Sequence, residues 1–273
     1  SFPTRRSSDL LKKNDSKFLR TEILENMLNN NPLAIKLVTS NLPKNKNLQT
    51  LKNELEKNFF DLTSKDLENI LEEVFNENPE LHSKYDEVTV LHHNSLNTFV
   101  PISLFDEDFL GSYLQYNTKV FETDFFTFDE MPMYDMNNVY IPYVHVNNFF
   151  IDKYGSFEYK HASTILVDRL LKFSKNRFDK TMFVHVQEKH LDIVVVENQK
   201  VILYNTFEYK TPEDFIYFIL FTAEQLQLNP EEFDLEFLGK IKETDATYAI
   251  TYKYVRNVTF MEVPTLNYAL GEE

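Results

Sequence analysis

Apolar and polar positions fall into two regimes along the chain. Between residues 11 and 60 the apolar residues are scattered among Asn and Lys, and the pattern suggests a helix at Phe18–Leu28, an alternating strand at Leu33–Val38 and a helix at Leu48–Phe59. From residue 61 the periodicity sharpens. Leu67, Ile70, Leu71, Val74 and Phe75 recur at i, i+3, i+4, i+7 and i+8 behind a capping box of Thr63 and Asp66, which predicts an amphipathic helix. Val88–Leu91 then reads as a strand, Thr98–Pro101 as an extended piece, and Ser103 with Asp106 as the cap of a helix carrying Phe105, Phe109, Tyr113 and Leu114. Val139–Val146 reads as a strand interrupted by Pro142, a residue suited to an edge or a bulge. Thr164–Phe173 reads as a helix with Ile165, Leu166, Leu170 and Phe173 inward.

The last hundred residues are the most regular. Met182–Val186, Leu191–Val196 and Val201–Phe207 are β-rich runs joined by turns at Gln187–His190 and Glu197–Lys200, a three-stranded meander. Thr211, Pro212, Glu213 and Asp214 supply a cap, a first-turn proline and two acids for a helix running to Leu226. A strand at Phe233–Leu238 ending on Gly239, a helix at Thr244–Tyr254 and a strand at Asn257–Met261 complete the order βββ, α, β, α, β. That order is ribonuclease-H-like and occurs in each half of actin-like proteins. The helix at Ser64–Phe75, the strand at Val88–Leu91 and a helix at Leu104–Tyr116 would be the α, β, α portion of a first copy whose opening strands should precede Thr63.

The expected organisation is therefore a partial first half over 61–176 and a second half over 177–273, with 11–60 an uncertain, degenerate N-terminal segment. Ser1–Leu10 reads as one frame of a translated sequencing adapter and is excluded from fold reasoning. Its Arg5, Arg6 and Asp9 contribute a net +1, leaving −16 for the rest of a chain of formal charge −15.

Composition narrows the chemistry. With 42% hydrophobic and 15% aromatic residues, the 273-residue chain can bury a sizeable core. It has no Cys, hence no disulfide, thiolate metal site or cysteine nucleophile, in keeping with a reducing cytoplasm. The longest apolar run, Phe215–Phe221, is far short of the ~20 residues of a membrane span, so membrane insertion is not expected. The negative charge would repel phosphate backbones, which argues against nucleic acid. Glycine occurs only at 111, 155, 239 and 271, leaving few places for a phosphate loop.

Three stretches carry a family resemblance: Val90–Glu107, Tyr204–Leu220 and Lys253–Val258, the second being the most specific. Over residues 60 to 262 the chain resembles domain-of-unknown-function family 3822, bacterial proteins with an actin-like ATPase fold. The resemblance implies architecture; it carries no catalytic residue.

Actin-like ATPases place a phosphate-binding turn between the first two strands of the second half, typically Asp-x-Gly-Gly-Gly-Thr-Thr-Asp-Ile in cell-division relatives. Here the frame runs from His185 to Ile193, and only Asp192 and Ile193 match. Gln187, Glu188 and Lys189 replace the glycines, His185 replaces the carboxylate that would organise Mg²⁺, and Glu188 would oppose a phosphate. The adenine-side loop, usually Gly-Gly, reads Gly239–Lys240. Histidines 92, 93, 145, 161, 185 and 190 are candidate metal ligands or bases. His92 and His93, adjacent on a strand, point to opposite faces, and His185 and His190 could face one another across the hairpin. No carboxylate pair stands at metal spacing beside them, so neither a metal nor another cofactor is expected. Glu122, Asp124, Asp129, Glu130 and Asp135 read as a solvated loop anchored by Phe residues, with partner docking as the other reading. The aromatic run from Tyr140 to Tyr159 reads mainly as core.

These readings converge on an α/β, actin-like fold of two ribonuclease-H-like halves, the first incomplete. The expected function is a non-catalytic cytoplasmic scaffold or adaptor with a protein partner. The alternative is a divergent ATPase using Asp192, Lys189 and Gly239 at the interlobe cleft. A metal-dependent nuclease is a third possibility, but it needs a carboxylate on the first strand, where this chain has His185.

Overall fold

The computed structural model describes residues 64–116, 118–121 and 124–261. The elements expected before residue 64, and the cap at Thr63, lie outside the described residues.

The second half follows its hydrophobic pattern closely. Strands β6 (Thr181–Val186), β7 (His190–Glu197), β8 (Lys200–Glu208), β9 (Asp234–Gly239) and β10 (Asn257–Phe260) form one sheet in the order β10-β9-β6-β7-β8. The β6–β7 and β7–β8 pairs are antiparallel, and β9 lies parallel to both β6 and β10. The β7–β8 turn puts Asn198 and Gln199 at φ 47° and 59°, the two positive values that a tight hairpin turn demands. Helix α5 (Pro212–Gln225) starts at the expected capping box: the Thr211 side chain accepts from Asp214 N, and the Asp214 carboxylate accepts from Thr211 N. Helix α6 (Ala246–Tyr254) follows β9.

All residues of β6, and β7 from Leu191 to Val196, are buried, because both faces of the sheet are covered. Met182, Val184, Ile193 and Val195 pack with Phe215, Ile216 and Ile219 of α5. The opposite face, Phe183, Val194, Val196 and Leu238, packs on Leu166, Val167, Leu170 and Leu171 of helix α4 (Ala162–Phe173). Strand alternation thus assigns 183 and 185 of β6, and 192, 194 and 196 of β7, to the face turned toward the first half.

In the first half, helix α1 (Ser64–Glu77) precedes strand β1 (Thr89–His92), and helix α3 (Val144–Tyr154) precedes strand β5 (Glu158–His161), which runs parallel to β1. Helices α1 and α3 meet through Leu67, Leu71, Phe75, Val146, Phe149 and Phe150. The succession α1, β1, α3, β5 repeats α5, β9, α6, β10 of the second half, again with parallel strands and adjacent helices. Between β1 and α3 lies an antiparallel sheet of order β2-β4-β3, formed by β2 (Asn97–Pro101), β3 (Thr127–Met131) and β4 (Met136–Tyr140).

Two expectations change. The helix expected over Leu104–Tyr116 is two 3-10 turns and the five-residue helix α2 (Leu110–Leu114); Asp106 caps the second turn by accepting from Asp108 N. It belongs to the inserted sheet, and the second helix of the repeat is α3. The strand expected over Val139–Val146 ends at Tyr140, and α3 begins at Val144. Pro142 marks that change of element: it has no N–H for a ladder, and it restricts the residue before it to extended backbone.

Candidate functional site

β6 and β9 run parallel, and His93 just past β1 of the first half meets Gln187 just past β6 at their carboxyl ends, the kind of place where open α/β sheets bind ligands. His185, Asp192 and Thr206 form one row across β6, β7 and β8, with Leu238 beyond them on β9. The cross-strand partner of His185 is therefore Asp192; His190, one residue pair beyond the β6 end, lies over Gln187 instead. His185 Nδ1 and Asp192 Oδ2 are 3.0 Å apart, and both side chains are buried. Since the carboxylate can only accept, the ring proton sits on Nδ1. Thr206 donates to the other oxygen at 2.7 Å, and the Gln187 amide reaches Oδ2 at 3.4 Å. Burial alone would push the Asp192 carboxyl up; the hydrogen bond and charge of His185, with His190 and His93 nearby, hold it well below the usual carboxylate range.

His93, the first residue past β1, enters this row from the other half. Its Nε2 lies 3.0 Å from Gln187 Nε2, and its ring centroid is 5.6 Å from that of His190. His93, His190 and Asp192 each offer a ligand atom within 4.8 Å of the others. Burial lowers the His190 pKa, with the Asp192 charge opposing it. Histidines expected to be separate are thus brought together by tertiary structure. No sequence pattern pairs His93 with residues nearly a hundred positions away.

His92 and His161 are built into structure. His92 is buried, bonds Asn147 Oδ1 at 2.9 Å and has its pKa lowered to about 4 by desolvation. His161 caps α4, its Nδ1 accepting from Ser163 N at 3.1 Å, and burial drives its pKa well down. The expectation that Asp129 belongs to a solvated loop is corrected. Only 2% exposed, it accepts from Tyr140 Oη at 3.2 Å, His161 N at 2.8 Å and Thr164 Oγ1 at 2.6 Å. Strand alternation on β3 turns it inward while Glu130 faces out.

The β6–β7 turn, Gln187–His190, is held by several hydrogen bonds. Gln187 N donates to His190 O at 2.9 Å, Tyr209 Oη to Gln187 O at 2.6 Å and Tyr209 N to Lys189 O at 3.0 Å. Neither Glu188 nor Lys189 has positive φ. Lys240, just past β9, pairs with Glu188 at 2.7 Å, joining the turn after β6 to the loop after β9. Gly239, at φ +91°, has an evident structural reason: a Cβ would stand 2.4 Å from Val186 O and 2.9 Å from His185 Cδ2. The residues present do not fit a nucleotide phosphate. The turn has no glycine to admit one, it presents Glu188, and the Gln187 and Asp192 side chains beside it are buried in their own hydrogen bonds.

Residues 40–258 match the profile of the family described as "Protein of unknown function (DUF3822)". A crystal structure from Bacteroides thetaiotaomicron, of a protein with actin-like ATPase fold and unknown function, is similar at TM-score 0.67 and 23% identity, covering 71% of this chain and 76% of that one. The fold is thus actin-like, as the element order predicts. No curated protein matches the chain.

Proposed function

As the chain belongs to the DUF3822 family, we propose that it is a non-catalytic cytoplasmic scaffold or adaptor, an actin-like fold whose interlobe cleft no longer serves a nucleotide. The observation that carries this reading is that the side chains at the ends of β1, β6 and β9 bond one another. Gln187 bridges toward His93 at 3.0 Å, and Glu188 and Lys240 latch the two vestigial loops at 2.7 Å. A partner surface is supported by exposed aromatic side chains on the outer helices, Tyr217 and Phe221 of α5 and Tyr252 and Tyr254 of α6. Among the described residues, no helix is long and apolar enough to cross a membrane. The formal charge of −15 disfavours nucleic acid.

The test is a thermal-shift titration of the full chain with Mg-ATP, Mg-ADP and Mg-GTP. A ligand at a hundred times its Kd stabilises by about 2.7 kcal/mol, a rise of about 5–10 °C for a chain of this size. The expected result is no saturable rise up to millimolar nucleotide. A saturable rise lost on mutation of Asp192 or Lys189 would replace this reading with the divergent ATPase.

A further inference from the structure

The convergence of His93, His190 and Asp192 extends beyond the scaffold reading and does not depend on it. His190 and Asp192 are two residues apart on β7, so strand alternation projects both from one face, toward the first half. His93 comes from the far side of the cleft, at the end of β1. We propose that these three side chains bind a divalent transition-metal ion, zinc by ligand chemistry, and that the ion clamps the two halves together.

Two imidazoles and one carboxylate, with no thiolate, suit Zn²⁺ and its late first-row neighbours; Mg²⁺ and Ca²⁺ prefer all-oxygen shells. The Asp192 oxygens are aimed by outer partners: Oδ1 accepts from the Thr206 hydroxyl at 2.7 Å and keeps a second lone pair for the ion, while Oδ2 accepts from His185 Nδ1–H at 3.0 Å and from the Gln187 amide at 3.4 Å. A donor amide 3.0 Å from His93 Nε2 means that this ring nitrogen presents a lone pair, which the ion would take as Gln187 turns aside. Tetrahedral zinc holds its ligand atoms roughly 3.4 Å apart, given bond lengths of about 2.0–2.1 Å. The 4.8 Å envelope of the three atoms closes to that by side-chain rotation. Water or the Gln187 side-chain oxygen would complete the shell. Because two ligands come from the second half and one from the first, binding opposes separation of the halves, and the strongly negative chain raises the local cation concentration.

The test uses the full chain stripped with chelator. Zn²⁺ is titrated calorimetrically and in thermal melts, and Co²⁺ is added as a spectroscopic probe. The expected result is one equivalent of Zn²⁺ bound with Kd below about 1 µM, a melting temperature raised by several degrees, and visible d–d bands of four-coordinate Co²⁺. His93→Ala and His190→Ala, at positions only partly buried, should each weaken Zn²⁺ at least tenfold while leaving the metal-free melting temperature within about 3 °C of wild type. His145→Ala, on α3 and outside the cluster, should change nothing. Absence of saturable Zn²⁺ binding, binding that survives both cluster variants, or equal competition by Mg²⁺ would each overturn the proposal.

Discussion

Gly239→Ala separates two reasons for which a glycine can stand at the end of β9. If the glycine closes the sheet, the new Cβ meets Val186 O at 2.4 Å, His185 Cδ2 at 2.9 Å and Val186 N at 3.1 Å. Val186 O is held in place because it accepts from Lys240 N at 2.8 Å, so relief requires β6 and β9 to part at their carboxyl ends. A non-glycine residue in the positive-φ region costs about 1–3 kcal/mol, and forcing atoms into a filled site costs about 1–3 kcal/mol more. The combined loss of about 4 kcal/mol corresponds to a fall of about 8–15 °C in Tm for a chain of this size. Gly155→Ala is the internal control. Its φ is +77° but nothing lies within 4 Å of its Cβ, so only the backbone cost of about 1–3 kcal/mol remains. Thermal melts and urea titrations of both variants measure the difference. If Gly239→Ala melts within about 2 °C of Gly155→Ala, the steric reasoning fails, and ligand approach returns as the reason for the glycine.

Four further outcomes are expected. Asp129→Ala removes the common acceptor of Tyr140 Oη, His161 N and Thr164 Oγ1; a loss of about 3 kcal/mol or more should appear in urea titrations, and a loss below about 1 kcal/mol would show that the buried carboxylate is not needed. Thr211→Ala should cost about 1 kcal/mol through the α5 cap. At the same cap, the Lys210 N–H bond, opposed by slight desolvation and aided by Thr211, holds the Asp214 carboxyl below its ordinary value. A depressed carboxyl stabilises above its unfolded value near 3.9 and loses that contribution as pH falls through the folded one, so the stability gap between wild type and Asp214→Asn should close in acid; a gap constant from pH 7 to 2.5 would refute this. Lys240→Ala breaks a half-exposed ion pair with Glu188 and should move stability by less than about 1 kcal/mol. A much larger loss would mean that the latch organises the cleft.

Where local pattern and burial agree, the sequence is sufficient. The second half was legible strand by strand because period-2 apolar runs alternate with turn signals, and because α5 carries its own capping box, proline and first-turn acids at Thr211–Asp214. The absence of glycine from the β6–β7 turn was legible too, since it depends only on which residues occupy one short stretch, Gln187–His190. The first half was harder. The stretch around Pro142 reads as a strand, yet past Pro142 the chain turns into helix α3, whose Phe149 and Phe150 pack against the distant Phe75. Asp129 looked solvated because neighbouring residues are acidic; its burial follows from β3 pairing with β4 and from α4 lying over that sheet, neither of which is local. The convergence of His93 with His190 and Asp192 belongs wholly to tertiary structure. One ligand lies past the end of a strand in one half and two lie on a strand in the other, so their meeting requires both halves to fold and close. Composition determined which donor atoms the chain possesses, and the apposition of the two halves determined which of them share a site.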